Sequence, residues 1–166
     1  MNTYKAAGYP LFRLQPSLNV IGDHLWLWMV NDTAAPISGS YRAVLFNMRS
    51  NEMINELVGP AAIQAGESGE LTDLDGFGQF DEECILYAEL LDSDGTQITR
   101  SIDYVCKERY LRFPETDLRL EAEDGELRIT SERFARCVEL RGDNDGDEFG
   151  WLFSDNYFDL MPWETK

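Results

Sequence analysis

Thr130-Ser-Glu-Arg-Phe-Ala-Arg-Cys-Val-Glu-Leu-Arg-Gly142 and, after a polar interval, Phe153-Ser-Asp-Asn-Tyr-Phe-Asp-Leu-Met161 are the two runs whose reading decides the fold. Each reads as a strand joined to a tight turn. Phe134 to Leu140 mixes apolar and polar residues and is rich in strand formers, and Arg141-Gly142 with the polar Asp143-Asn-Asp-Gly-Asp147 closes it. In the second run Ser154-Asp-Asn156 has side chains that bond their own backbone and hold a turn, with Tyr157, Phe158, Leu160 and Met161 following as the buried partner.

Outward from these runs the chain repeats the same theme. Leu25-Trp-Leu-Trp-Met-Val30 and Cys84-Ile-Leu-Tyr-Ala-Glu-Leu-Leu91 are apolar on both alternating faces, the pattern of central strands. Between them Tyr41, Ala43 and Leu45 alternate with Arg42, Val44 and Phe46. Met53 to Ile63 is a weaker strand region broken by Gly59-Pro60, Gly66-Glu-Ser-Gly69 reads as a hairpin turn, and Asp92-Ser-Asp-Gly95 joins Cys84–Leu91 to Thr96–Val105 as a hairpin. Residues 1–16 form a lead-in in which Pro10 and Pro16 limit regular structure. This gives about seven strands at the spacing of a sandwich, with no helical periodicity, so the expected class is all-β with an immunoglobulin-like β-sandwich over 17–109. Lys107 to Pro114 interrupts the pattern, and 110–166 reads as a second immunoglobulin-like unit. It offers Leu118–Ala122, a turn at Glu123-Asp-Gly125, Leu127–Thr130 and the two opening runs, fewer than the roughly seven strands a complete domain needs. The second sandwich is therefore expected to be partial, truncated before its closing strands and left with an open edge.

These two runs resemble the C-terminal immunoglobulin-like modules of β-mannosidases and related exo-glycosidases of glycoside hydrolase family 2. There a strand of the type T-S-x-x-F-A-R-x-V-x-L-x-G precedes F-S-D-N-Y-F-D-L, as Thr130–Gly142 and Phe153–Leu160 do here. The likeness continues more loosely back to about Leu25, with one departure: Pro162-Trp163-Glu164 stands where the family pattern implies Pro-Gly-Glu. The resemblance implies a parent that hydrolyses terminal β-mannosyl residues, with retention, by two Glu on a barrel. A chain of 166 residues has no room for that roughly 250-residue barrel. The expectation is an accessory piece of an enzyme, itself without catalytic activity.

Composition narrows the partners. Fourteen basic against 31 acidic residues give a net charge of -17, which repels nucleic acid and anionic membrane. No stretch approaches the roughly 20 apolar residues of a membrane span, and the first residues lack the apolar core of a signal peptide. Three cysteines, Cys84, Cys106 and Cys137, are odd in number and widely spaced, which favours free thiols in a reducing, cytoplasmic setting over a disulfide framework or a zinc site.

No motif singles out a catalytic pair among the acidic residues, although a glycosidase needs two. His24 is the sole histidine, so any Ser-His-Asp or Cys-His arrangement must use it, and its place at the start of a strand reads as surface. Gly66-Glu-Ser-Gly69 lacks one residue of the nucleophile-elbow spacing. Asp143-Asn-Asp-Gly-Asp-Glu148 has aspartates at alternate positions, but its glycine comes at the fourth position and Ser154 replaces the bidentate Glu, so a solvated loop is expected and no metal or cofactor. Trp26 and Trp28 point the same way from one strand and read as core or interface. Trp151, Tyr157 and Trp163 near turns are the candidate carbohydrate-binding residues, since sugar rings stack on exposed aromatic faces.

The functional expectation is a scaffold that packs against the catalytic barrel of a parent enzyme, or against a second subunit. Two alternatives accompany it: a carbohydrate-binding module that takes an oligosaccharide on Trp151, Tyr157 or Trp163, and a stand-alone interaction domain, which the same sandwich would serve equally well.

Overall fold

A computed structural model describes residues 11–19, 22–79, 81–104, 108–123, 126–142 and 153–166, with side chains of 11–24 and 108 excepted. Its elements are β1 (Leu11–Asn19), β2 (Gly22–Val30), β3 (Ile37–Asn47), β4 (Glu52–Ile63), β5 (Ser68–Asp73), β6 (Cys84–Leu91), β7 (Gln97–Tyr104), β8 (Leu118–Glu123), β9 (Glu126–Ser131), β10 (Ala135–Val138) and β11 (Phe158–Leu160). No α-helix occurs among the described residues, so the all-β class holds. Main-chain proximity divides the chain into a first unit, residues 1–47 and 52–111, and a second, residues 48–51 and 112–166.

In the first unit β1-β2-β5 and β4-β3-β6-β7 form two antiparallel sheets. Seven strands split three and four make an immunoglobulin-like sandwich. Alternation decides what fills it: Leu25, Leu27 and Met29 of β2 meet Tyr41, Ala43 and Leu45 of β3 and Leu86, Ala88 and Leu90 of β6 in one buried cluster. β3 and β6 are buried on their second face as well, through Val44, Phe46, Ile85 and Tyr87, which is why their sequences are apolar without a break. The β6–β7 hairpin turns as its sequence foretells. Asp92 Oδ1 accepts from Asp94 N (2.9 Å) and Thr96 N (2.8 Å), and Gly95 takes the left-handed φ of 81° that a side chain would resist.

Three local expectations give way. The chain is already a strand from Leu11, inside the supposed lead-in, because β1 is the outer strand of its sheet and an outer strand tolerates Pro16. β4 runs unbroken through Gly59-Pro60 for the same reason. Gly59 lies opposite Tyr41, and a Cβ there would come within 2.5 Å of the tyrosine hydroxyl, so the glycine makes room for the ring that covers it. The Gly66–Gly69 turn is no hairpin, since it carries the chain from β4 in one sheet to β5 in the other.

The second unit holds two antiparallel ribbons, β8-β9 and β10-β11. Its apolar cluster is small: Ile129, Ala135, Val138, Phe158 and Leu160, edged by Leu140. β8 is exposed along its whole length, including Leu118 at 46% and Leu120 at 56%. Leu120 is directly opposite Ile129 and shares its inward face. Four described strands thus leave part of an apolar face uncovered.

Candidate functional site

The turn before β11 is built from the second of the opening runs. Ser154-Asp-Asn156 does hold it locally, with Asn156 N donating to Asp155 Oδ1 (2.9 Å), but the Asn156 side chain reaches much further. Its Oδ1 accepts from Leu140 N (2.7 Å) and its Nδ2 donates to Leu140 O (3.0 Å). A side-chain amide so placed copies the reciprocal bonds of an antiparallel backbone pair and extends the β10-β11 ribbon where the main chain has turned away. Asp159 does the complementary service for β10, its Oδ1 accepting from Cys137 N (2.9 Å). Cys137 sits at the register shift between Ala135 and Val138 with φ of 49°, an irregularity that bends the strand.

Tyr157 is the correction here. It was expected among the buried partners of β11, yet it is 64% exposed. It adjoins buried Phe158 and so falls on the opposite side of the alternation, with a φ of 58° and its N–H donating to Val138 O (2.8 Å). The hydroxyl donates to Glu139 Oε1 (2.6 Å), and Glu139 Oε2 pairs with Arg141 Nη2 (2.8 Å). Arg141 first and Tyr157 second hold the Glu139 carboxyl below its usual range, and the bond to Glu139 lifts the Tyr157 phenol above its own. An aromatic ring is thereby fixed at the surface beside a carboxylate and a guanidinium, two groups that sequence reading passed over as ordinary surface charge. A left-handed non-glycine residue is costly, and such positions gather where geometry matters more than stability.

Trp163, 38% exposed, belongs to a different turn, after β11. Met161 N donates to Glu164 Oε2 (2.9 Å) and Glu164 N to Met161 O (3.0 Å). Trp163 is not left-handed, so this turn accepts a side chain where the family pattern places glycine. Trp151, Cys106 and the Asp143–Glu148 loop lie outside the described residues, as does the side chain of His24. Cys84 and Cys137 are free thiols, the first buried and the second exposed. Among the described residues no cluster of His, Cys, Asp or Glu is arranged to hold a metal.

The first unit brings two carboxylates to one point, but around a cation. Arg42 Nε bonds Glu56 and Arg42 Nη1 bonds Glu89 (3.1 Å). Burial pulls the guanidinium pKa down, and the bonds and charges of the two glutamates outweigh it and leave it raised. Tyr87 Oη (2.8 Å) and Gln97 Nε2 (2.6 Å) donate to the other oxygen of Glu89. This is an ion-pair network that satisfies a buried carboxylate, unlike the acid and nucleophile that flank a scissile glycosidic bond.

Known families match both units. The model of the mannosidase Ig/CBM-like domain matches residues 23–110, and that of a mannosidase Ig-fold domain matches 111–166. The chain belongs to the mannosidase Ig/CBM-like domain family. Solved structures agree on the architecture of this mannosidase-type tandem. A β-D-mannosidase from Dictyoglomus thermophilum superposes with a TM-score of 0.74 at 18% identity, over 95% of this chain and 19% of that one. The exo-chitosanase CsxA of Amycolatopsis orientalis superposes with a TM-score of 0.55 at 14% identity, over 93% of this chain and 22% of that one. The mannosidase-type region thus spans about a fifth of the length of each solved relative. A comparison with curated protein sequences gives no match.

Proposed function

We propose that these residues are a non-catalytic accessory region of a β-mannosidase-like glycosidase, serving to scaffold its catalytic barrel. The observation that carries this reading is the pair of adjacent family matches, which together account for residues 23–166 with two immunoglobulin-like units. The parent would hydrolyse terminal β-mannosides, with retention by two glutamates on a barrel that this region does not contain. A partly apolar sandwich face is the means by which such a unit packs on its neighbour. The test is hydrolysis of p-nitrophenyl β-mannoside by the purified chain. No turnover is expected, and turnover that follows the protein through repurification would overturn the reading.

One observation favours a second reading, binding of carbohydrate. Tyr157 presents a fixed, exposed ring beside Glu139 and Arg141, which supply a stacking surface with polar groups for hydroxyls. Titration with mannohexaose should then shift amides around Tyr157 and lose the effect in Tyr157→Ala, with Trp163→Ala reporting on the second turn. Shifts scattered over both units, or none, would dismiss this reading.

A further inference from the structure

Alternation along β2 sends Leu25, Leu27 and Met29 into the sandwich of the first unit, and so turns Trp26 and Trp28 to the outer face of the β1-β2-β5 sheet, where both are partly exposed. β5 runs antiparallel beside them, with Asp73 directly opposite Trp26 and Glu70 directly opposite Trp28. Directly opposed residues share a face, so two exposed carboxylates stand next to two indoles. Positions 70 and 73 are an odd number apart, and plain alternation would put them on opposite faces. The register shift between Leu27 and Trp28 resets the phase. It takes up one extra residue of β5, Leu71, which packs against the core, and brings Glu70 round to the side of Trp28. Asp73 is held in place as well, its Oδ1 accepting from Asp75 N (2.6 Å). On the other flank, the β1 positions opposite Trp26 and Trp28 are Gln15 and Arg13.

We infer that this face binds a cationic sugar chain, an oligomer of amino-bearing pyranoses. Strand geometry puts the two indole positions about 7 Å apart, and each carboxylate position about 5 Å from that of its indole. An indole offers a flat apolar surface with a negative face, which suits the C–H face of a pyranose and attracts an ammonium carried on the ring. The carboxylate beside it pairs with that ammonium. A neutral sugar would use the indoles and leave the two carboxylates without a role. An acidic sugar, or a second copy of the chain, is repelled by a protein carrying -17. A lysine-rich peptide meets the charge, but it has no rigid ring to lay on an indole and loses the rotamer freedom of its long stems on binding. Charge complementarity, together with the pairing of each ring with a carboxylate, therefore selects one ligand chemistry. The site consists of first-unit residues alone. It depends neither on the accessory reading nor on the surface at Tyr157.

The test titrates the full chain with the fully deacetylated β-1,4-glucosamine hexamer and follows backbone amide and indole N–H shifts. The N-acetylated hexamer, mannohexaose and hexalysine serve as comparisons. Shifts should centre on Trp26, Trp28, Glu70 and Asp73, with a Kd about five-fold or more below that of any comparison ligand. The double variant E70Q/D73N changes exposed side chains and keeps the acceptor for Asp75 N, so it should leave the fold intact and raise Kd about five-fold. E121Q/E123Q on exposed β8 makes the same change in net charge and should alter Kd by less than about two-fold. Equal weakening by both pairs, a neutral hexamer or hexalysine bound equally well at these residues, shifts spread over both units, or no binding would overturn the inference. Failure of the carbohydrate reading at Tyr157 shows separately, as the absence of mannohexaose shifts there.

Discussion

The two units match two different mannosidase-type domain models and differ in how much apolar surface they bury. In the first, strands from both sheets pool a large buried cluster, and β3 and β6 are covered on both faces. In the second, a cluster of five buried residues is supplemented by side chains doing the work of backbone: Asn156 on Leu140, Asp159 on Cys137. Burial scales with the number of strands that can be stacked, and single side-chain bonds to backbone serve both units, in the first as Asp75 on Leu25 and Asn31 on Gln64. Strained, exposed positions gather in the less buried unit, where Cys137 and Tyr157 both adopt left-handed backbone.

Truncating the core should separate the units most sharply. Leu27→Ala or Leu86→Ala should cost the first unit about 2–5 kcal/mol, and Leu160→Ala the second about 2 kcal/mol, because its surroundings are freer to collapse. Denaturant melts followed by unit-specific amide signals would show this, and an equal or larger loss at Leu160 would break the comparison. Asn156→Ala should cost about 1–3 kcal/mol, confined to the second unit, since it strands both backbone groups of Leu140. Asn156→Asp keeps the acceptor for Leu140 N but sets a carboxylate oxygen against Leu140 O, so it should cost at least as much; indifference to both would show that the Asn156 bonds to Leu140 contribute nothing.

A smaller effect separates the thiols. Burial, helped by Asp81, pushes Cys84 up from 9.0 to about 11, so at pH 8 iodoacetamide should label exposed Cys137 in the folded protein and leave Cys84 until unfolding. The unfolded chain loses this proton above about pH 9 while the folded one retains it, so the contribution is complete below that pH and fades as pH rises toward 11. Smallest of all is Cys137→Gly, which removes the left-handed penalty and should stabilise the second unit by about 1 kcal/mol, read as a rise in its melting temperature.

Much of the fold was legible in the residues. The unbroken apolar runs at Leu25–Val30 and Cys84–Leu91 announce strands covered on both sides, and Asp92-Ser-Asp-Gly95 carries its own turn chemistry. What escaped notice depended on neighbours distant in sequence. Pro16 and Gly59-Pro60 look like breaks until β1 and β4 prove to be outer strands, and Gly59 makes sense only beneath the Tyr41 ring. Asn156 looked like a residue that bonds its own turn, and its partner lies sixteen residues away. Tyr157 stands in an apolar run in the sequence, but next to buried Phe158 it falls on the outward side of the alternation, and its contact with Glu139 shows only in the structure. Residue type alone points to Tyr157 and Trp163 as candidates, and the structure shows both partly exposed, whereas Glu139 and Arg141 enter only through their contacts beside the Tyr157 ring.

An amide-shift titration of the chain with β-1,4-mannobiose and mannohexaose, with mannoside hydrolysis followed in the same tube, tests the accessory reading most directly. The account predicts no turnover, with amide shifts either absent or confined to the surroundings of Tyr157 and Trp163. Turnover that persists through repurification would contradict it, because it would place glycosidase chemistry in a chain whose two units are assigned only structural and recognition roles.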